Sequence, residues 1–364
     1  MKLVAAKDAL LNGLQLTHGV VDVRPTLPIL SNVLLSATEP SLWLTTTDLE
    51  VTIRARVEAS VTKRGATTLA ARRLLGIVRE LAAEQVEIEV DEKHAATLTC
   101  GAAFFKLTGL SEEEFPPLPP YQQGNVFTME QKALKEMLQR TSYAASADET
   151  RYILNGTLMS FRGGKVTLVA TDGRRMALSE QELEFPKENE IDLVVPTKAV
   201  NEVLRILKDE GTVKVYGAKN QVAFECGDVL LISKLLEGTY PNFRQVIPTQ
   251  CEQRVTVERE SFLAVVRRVA VLTTDRSMAL RLRFAKNRLE ISASSPDGGE
   301  ARESMGVKYT GKELTVAFNP EYLMEPLRNL TSDEVYLEFT DELSPGVIKT
   351  DVPFIYVLMP IRVG

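Results

Sequence analysis

The chain of 364 residues holds only three cysteines, two histidines and one tryptophan. Cys100, Cys226 and Cys251 are odd in number and far apart, which argues against a disulfide scaffold or a zinc cluster and fits a reducing compartment. With only His18 and His94 available, a histidine-dependent triad or a multi-histidine metal site has no support. No Gly-x-x-x-x-Gly-Lys-Ser/Thr loop occurs, so P-loop chemistry is unsupported too. No apolar run approaches the roughly 18 residues of a membrane span. Asp8 interrupts the first apolar stretch, so no secretory leader is expected. No cofactor and no metal are expected. Positive charge is also in deficit, with a net charge of −6. Taken alone, that balance argues against a nucleic-acid partner.

What is present is repetition. A short apolar strand at Leu3-Val4-Ala5 runs into a helix-like stretch through Asp8, Leu10, Leu11 and Leu14. The phrase returns at Phe127-Thr128-Met129, ahead of Leu134, Met137 and Leu138, and at Val255-Thr256-Val257, ahead of Phe262, Leu263 and Val266. Inside each copy a strand ends in Thr47-Asp48-Leu49, Thr171-Asp172-Gly173 or Pro296-Asp297-Gly298. A strand-to-helix phrase follows near Ala70-Ala71-Arg72, Pro196-Thr197-Lys198 and Asn319-Pro320-Glu321. The period of about 125 residues is far above that of solenoid repeats and suits a whole domain with its own core. Proline-rich punctuation at Phe115–Pro120 and at Gly238–Pro248 closes the first two copies. Three domains are therefore expected, at 1–124, 125–250 and 251–364. Each should contain about eight short antiparallel strands and two helices, an α+β domain.

The charge pattern follows the helices. Candidate helices span 7–18, 70–82, 129–143, 197–208, 259–272 and 320–330. Four of the six are net positive, so the rest of the chain is more acidic than the overall charge shows. Lys198, Arg205 and Lys208 share one helical face, with Val203, Leu204 and Leu207 opposite. Arg72 and Arg79 share another face. Phe262, Leu263, Val266, Val269 and Ala270 form an apolar stripe, and Arg267 and Arg268 point away from it. Solvated helix faces would account for any single case. Together they would hold a polyanion against the helices and repel it elsewhere.

With these features in hand, the whole chain resembles the bacterial DNA polymerase III β subunit family, the sliding clamps. The resemblance is carried by Arg24-Pro25-Thr26-Leu27-Pro28-Ile29-Leu30, Thr47-Asp48-Leu49-Glu50, Arg151–Gly156, Ala170-Thr171-Asp172-Gly173-Arg174-Arg175, Tyr240-Pro241-Asn242-Phe243 and Val357–Arg362. It implies a DNA-clamp fold closed into a ring as a head-to-tail homodimer, with helices lining the hole. Phe105 and Leu107 of one chain would meet Val271 and Leu272 of the next; ordinary core is the alternative for all four. The implied function is processivity without catalysis: the ring encircles duplex DNA, slides without sequence preference, and tethers the polymerase, the clamp loader and other proteins. A cytoplasmic, nucleoid-associated location follows. DNA contacts matched to the family are Arg24, Arg73, Arg151, Tyr152 and Lys198. Arg79, Arg205, Lys208 and Arg268 rest on the helix-face argument.

The resemblance also implies a groove for short peptides between the second and third domains. Its positions are Leu154, Thr171, Gly173, Arg174, Arg175, Met176, Pro241, Val246, Asn319, Tyr322, Val357, Met359, Pro360 and Arg362. Plain core remains the alternative for Leu154, Val246 and Val357, and a strand-ending turn for Thr171-Asp172-Gly173. Many relatives carry histidine at the position of Arg174, and some an aromatic at that of Met278. Two rival readings stand beside this one. A metal-dependent nuclease would use Asp48, Asp172 and Asp297, but their equivalent places in separate copies favour turns. A monomeric scaffold would lack any DNA role.

Overall fold

The computed structural model describes the chain apart from residues 23, 24, 26, 275–278, 296–298, 363 and 364. Arg24, Met278 and Asp297 therefore lie outside the described residues. The first repeat holds β1 (Lys2–Ala6), α1 (Lys7–His18), β2 (Asn32–Thr38), β3 (Ser41–Thr47), β4 (Val51–Lys63), β5 (Gly65–Ala70), α2 (Ala71–Glu80), β6 (Gln85–Val90), β7 (Ala96–Cys100) and β8 (Ala103–Leu107). The second holds β9 (Asn125–Glu130), α3 (Gln131–Thr141), β10 (Gly156–Arg162), β11 (Lys165–Thr171), β12 (Arg175–Glu182), β13 (Ile191–Pro196), α4 (Thr197–Ile206), β14 (Thr212–Gly217), β15 (Gln221–Cys226) and β16 (Val229–Lys234). The third holds β17 (Gln253–Glu258), α5 (Arg259–Ala270), β18 (Leu280–Ala285), β19 (Arg288–Ser294), β20 (Glu300–Gly306), β21 (Leu314–Phe318), α6 (Pro320–Asn329), β22 (Glu334–Phe339), β23 (Gly346–Lys349) and β24 (Phe354–Leu358).

Local chemistry sets several of these boundaries. The Glu258 carboxylate accepts from the N–H groups of Glu260 (3.0 Å) and Ser261 (2.6 Å), so it caps α5. The Asn319 side chain caps α6 through Glu321 N–H at 2.9 Å, and Pro320 opens that helix where no donor is needed. The helix predicted over 129–143 is shorter at both ends. Met129 and Glu130 are taken by β9, where they pair with Val213 and Thr212 of β14. Ser142–Ala144 tighten into a 3-10 turn.

The chain forms two compact units, Met1–Lys135 with Lys198–Leu235, and Glu136–Thr197 with Leu236–Gly364. The middle repeat is divided between them. In the first unit a twelve-stranded sheet runs β8-β7-β6-β1-β4-β16-β15-β14-β9, with β2, β3 and β5 branching from β4. The second unit has an eight-stranded sheet, β13-β10-β11-β12-β24-β23-β22-β17, and a four-stranded sheet, β20-β19-β18-β21. Both large sheets cross a repeat boundary. In one, Val51–Ala55 of β4 pair with Val229–Ser233 of β16; in the other, Arg175–Ser179 of β12 pair with Phe354–Leu358 of β24.

The helices pack one face on these sheets. Leu10 and Leu14 of α1 join Leu74, Leu75 and Val78 of α2 in the core of the first unit. Phe262, Leu263, Val266 and Val269 of α5 join Leu323 and Leu327 of α6 in the second. Arg72, Arg73, Arg79, Arg267 and Arg268 are exposed, as an amphipathic helix requires. Among the described residues, no helix is long and apolar enough to cross a membrane. Phe262 is fully buried, so Phe262→Ala should cost about 3–5 kcal/mol. Denaturant unfolding followed by circular dichroism measures that loss.

Candidate functional site

The groove expected between the second and third repeats lies within the second unit. It is organised by the turn from β11 to β12. Gly173 sits at φ 83, a conformation that favours glycine. Thr171 Oγ1 donates to Arg175 O at 2.6 Å and accepts from Gly173 N–H at 3.1 Å. Asp172 Oδ1 accepts from the N–H groups of Arg174 and Arg175 at 2.8 and 3.0 Å. The turn alternative considered for Thr171-Asp172-Gly173 therefore describes its local structure. A wall and a turn are compatible, because the turn brings Arg174 beside the C-terminal tail. Met359 N–H donates to Arg174 O at 3.0 Å, and Ile361 N–H to Ala317 O at 2.7 Å.

An apolar patch borders this turn. Leu158, Val169, Met176, Leu178, Val194 and Val357 form a buried cluster, against which Ile153, Tyr240, Phe243 and Ile247 pack. Leu154, Met176 and Val357 are buried and offer little free surface, and Met176 and Val357 belong to the cluster itself. Val246 (48 % exposed) and Met359 (47 %) remain open, as do Gly173, Arg174, Pro241 and Arg362. Thr171, Tyr322 and Pro360 are half-buried. Asn319 is half-buried too, and its side chain is engaged in the cap of α6.

Beside the patch lies a polar cavity of about 320 Å³, lined by Ala145–Asp148, Arg151, Asp172, Arg174, Arg175 and Tyr322. Arg151, expected to contact DNA, lies in this wall and donates to Asp172 O at 2.7 Å. Arg175 is buried, and its Nε and Nη2 are hydrogen-bonded. It bonds to Asp172 Oδ2 (3.1 Å), donates to Tyr143 O (2.8 Å), pairs with Glu325, and rests 4.3 Å above the Tyr322 ring. Burial pushes the Tyr143 phenol well above its ordinary range, so it stays neutral. Ser146, Asp148 and Glu325 are not legible as site residues in the sequence, because no local motif marks them. A second cavity of about 440 Å³ is lined by Arg281, Thr315–Ala317, Glu342, Leu343, Ile361 and Arg362.

The expected DNA-contacting cations divide into two groups. Arg73, Arg79 and Lys208 are exposed, and no side-chain ion pair ties them among the described residues. Lys198 is already bound to Asp48 Oδ2 (2.5 Å) and Asp22 (3.2 Å). Arg205 pairs with Glu202 (2.6 Å) and donates to Gln15 O (2.8 Å). Arg268 is forked onto Glu303 at 2.6 and 2.9 Å. Tyr152 is exposed on the 3-10 turn Glu149–Leu154. Asp48 Oδ1 caps its own turn through Glu50 and Val51 N–H, as Asp172 does. Both aspartates are therefore engaged in turns and ion pairs.

Of the expected subunit contacts, Val271 is 79 % exposed and Phe105 is exposed on β8, an edge strand. Leu107 is a correction: it is 8 % exposed and packs in the core of the first repeat, because β8 turns that residue inward. Phe104, on the opposite face of the same strand, is 65 % exposed, and no sequence motif marks it. Leu272 is half-buried.

Three successive tandem α+β repeats joined through shared sheets define a class, and comparison with known proteins names it. Models of the DNA polymerase III beta subunit match residues 1–119 (N-terminal domain), 128–242 (central domain) and 244–362 (C-terminal domain). The chain belongs to the DNA polymerase III beta subunit family. It is 34 % identical to the beta sliding clamp of Chlamydia muridarum, over all of this chain and 99 % of that one. It is 33 % identical to that of Pseudomonas putida, over the whole of both. Among solved structures, the sliding clamp of Bacillus subtilis matches with TM-score 0.95 at 29 % identity, covering both chains fully. A Pseudomonas aeruginosa clamp bound to griselimycin matches with TM-score 0.96 at 32 % identity, again over both whole chains.

His18, in the last turn of α1, gives a pH prediction. Its Nδ1 is buried with no hydrogen-bond partner among the described residues. Burial, then Arg72, Arg205 and Arg79, lower its pKa below the ordinary 6.5. The folded state therefore resists protonation. This contribution is fully present above pH 6.5 and is lost as pH falls toward the depressed value. The wild-type unfolding temperature should drop between about pH 7 and pH 5, and His18→Gln should flatten that drop, as read by calorimetry.

Proposed function

We propose that this protein is a processivity clamp: two chains close head to tail into a ring that encircles duplex DNA and tethers a polymerase and other partners. The observation that carries the reading is the pairing rule of the strands. The fourth strand of repeat one pairs with the eighth of repeat two (β4 with β16), and the fourth of repeat two with the eighth of repeat three (β12 with β24). Of the fourth and eighth strands, only β20 of repeat three and β8 of repeat one end their sheets instead. The same rule applied between chains joins β20 of one protomer to β8 of its partner. A heterologous contact of this kind closes into a ring when the rotation permits. Exposed Phe104 and Phe105 on β8, and Val271 after α5, would supply apolar area at that joint.

The domains are read as 1–124, 125–250 and 251–364. Arg73, Arg79 and Lys208, exposed and without an ion pair among the described residues, are the leading phosphate contacts, beside Arg72 and Arg267. Arg205, Arg268 and Tyr152 would contribute at the margins, the first two after exchanging a carboxylate for a phosphate. Contacts to phosphate alone weaken with salt and read no bases, which sliding requires. The groove with Val246, Met359 and Pro241 at its rim would take a short peptide with apolar anchors, and methionine lets one groove accept several. No catalytic constellation is needed for this role, and the place of action is the cytoplasm, where the chromosome lies.

Two measurements test the ring. Phe104→Asp with Phe105→Asp should give the mass of one chain by light scattering, against twice that mass for wild type. Once loaded, the wild-type protein should persist on closed circular DNA and leave linear DNA by its ends; equal retention on both would defeat the proposal. Neutralising Arg73, Arg79 and Lys208 together should lower the slope of log retention against log salt by about 0.9 for each phosphate no longer neutralised.

A further inference from the structure

The two junctions between repeats are built alike, bond for bond. Leu49 sits at φ 77 where Gly173 sits at φ 83. Leu49 N–H donates to Thr47 Oγ1 at 3.1 Å, as Gly173 N–H does to Thr171 Oγ1. Asp48 Oδ1 caps Glu50 and Val51, as Asp172 Oδ1 caps Arg174 and Arg175. Lys234 N–H donates to Glu50 O at 2.9 Å, where Met359 N–H donates to Arg174 O at 3.0 Å. A leucine held at positive φ carries a steric cost that glycine avoids, so the shared shape is imposed by these bonds.

The difference lies in what holds the second carboxylate oxygen. Asp48 Oδ2 takes the Lys198 ammonium, which comes from the first turn of α4 in the next repeat and so spans the junction. Asp172 Oδ2 takes Arg175 Nε from its own strand. The position of Arg175 is Val51 in the first repeat, and that of Lys198 is Glu321 in the third. Glu321 turns to Arg328 instead. At the second junction the span is completed from the other side: Arg175 reaches Glu325 of α6, lies on the Tyr322 ring, and holds Tyr143 O. One buried guanidinium thus ties together the turn, the 3-10 turn Ser142–Ala144 and α6. With the cation withdrawn to the strand, the helix side of the turn borders the polar cavity.

We propose that Lys198 and Arg175 are the latches of the two junctions, and that Arg175 is a positioning residue of the docking groove. It touches no partner. It holds Asp172, Tyr322 and α6 in the arrangement that keeps the groove formed, and Lys198 serves its junction in place of contacting DNA. The claim about Arg175 rests on the docking reading above; the claim about Lys198 does not.

The test uses the full-length protein and two synthetic hexapeptides with the same leucine and phenylalanine anchors, one without ionisable side chains and one carrying an aspartate. By fluorescence anisotropy, Arg175→Ala should weaken both peptides equally, by about tenfold, or about 1.4 kcal/mol. Arg175→Lys should recover part of the loss. Glu325→Gln, a milder change should the alanine variant fail to fold, should weaken both peptides equally by a few-fold. Without ligand, the backbone amides at positions 174 and 175 should exchange faster in both Arg175→Ala and Glu325→Gln. Lys198→Ala should lower the unfolding temperature but leave peptide affinity and the salt slope of DNA retention unchanged. A loss confined to the acidic peptide would make Arg175 a direct contact and overturn the assignment, as would no loss at all. A shallower salt slope in Lys198→Ala would return that residue to the DNA surface. If the wild type binds neither peptide, the docking reading fails by itself, and amide exchange still decides whether the latch exists.

Discussion

An edge strand carries a row of unpaired N–H and C=O groups, and burying them without partners costs more than most single contacts return. This protein meets that constraint by letting each repeat complete the sheet of the next. β4 is shared between β1 and β3 of its own repeat and β16 of the second, and β12 stands between β11 and β24. The repeats are therefore fused main chain to main chain. That explains why the compact units cut through the middle repeat rather than between repeats. The hydrophobic cores, the helix faces and the groove all take their positions from these ladders.

The same geometry governs the electrostatics. Cations on the helices cannot all serve a ligand, because the junctions need some of them. Lys198 is committed to Asp48 and Asp22, and Arg268 to Glu303. Exposed pairs such as Arg268–Glu303 contribute little to stability and can exchange for phosphate. The Arg175 site is different. Its charges are largely removed from water, so losing one partner would strand the others. Its value lies in fixing one arrangement of the groove walls rather than in net stabilisation.

Much of this was legible in the residues. The helix at 7–18 follows from its apolar spacing and appears at Lys7–His18. The stretch Lys165-Val166-Thr167-Leu168-Val169-Ala170 reads as a strand from its β-branched and apolar residues and forms β11, Lys165–Thr171. The helix predicted over 70–82 stops at Glu80, because Leu81 adopts an extended conformation while its side chain enters the core. In the groove, Thr171, Gly173 and Arg174 could be named from a motif. Glu325 and Ser146 could not, since what places them there is the packing of segments distant in the chain. Leu107 packs in the core, which the residues do not reveal, because an apolar residue on an edge strand reads alike whether it faces the core or a neighbour.

Alternation of apolar and polar residues, helix caps and turn residues are local, and they determined the three repeats, the position of the six helices and the sign of charge on each. Which strand borders which, and so where the sheets end and which carboxylate each arginine meets, depends on contacts between residues far apart in sequence. Those choices are made by main-chain pairing and burial, which have no signature at any single position. The tertiary structure alone therefore decided that Lys198 and Arg175 hold junctions, and that Arg73, Arg79 and Lys208 stand exposed with no side-chain ion pair among the described residues.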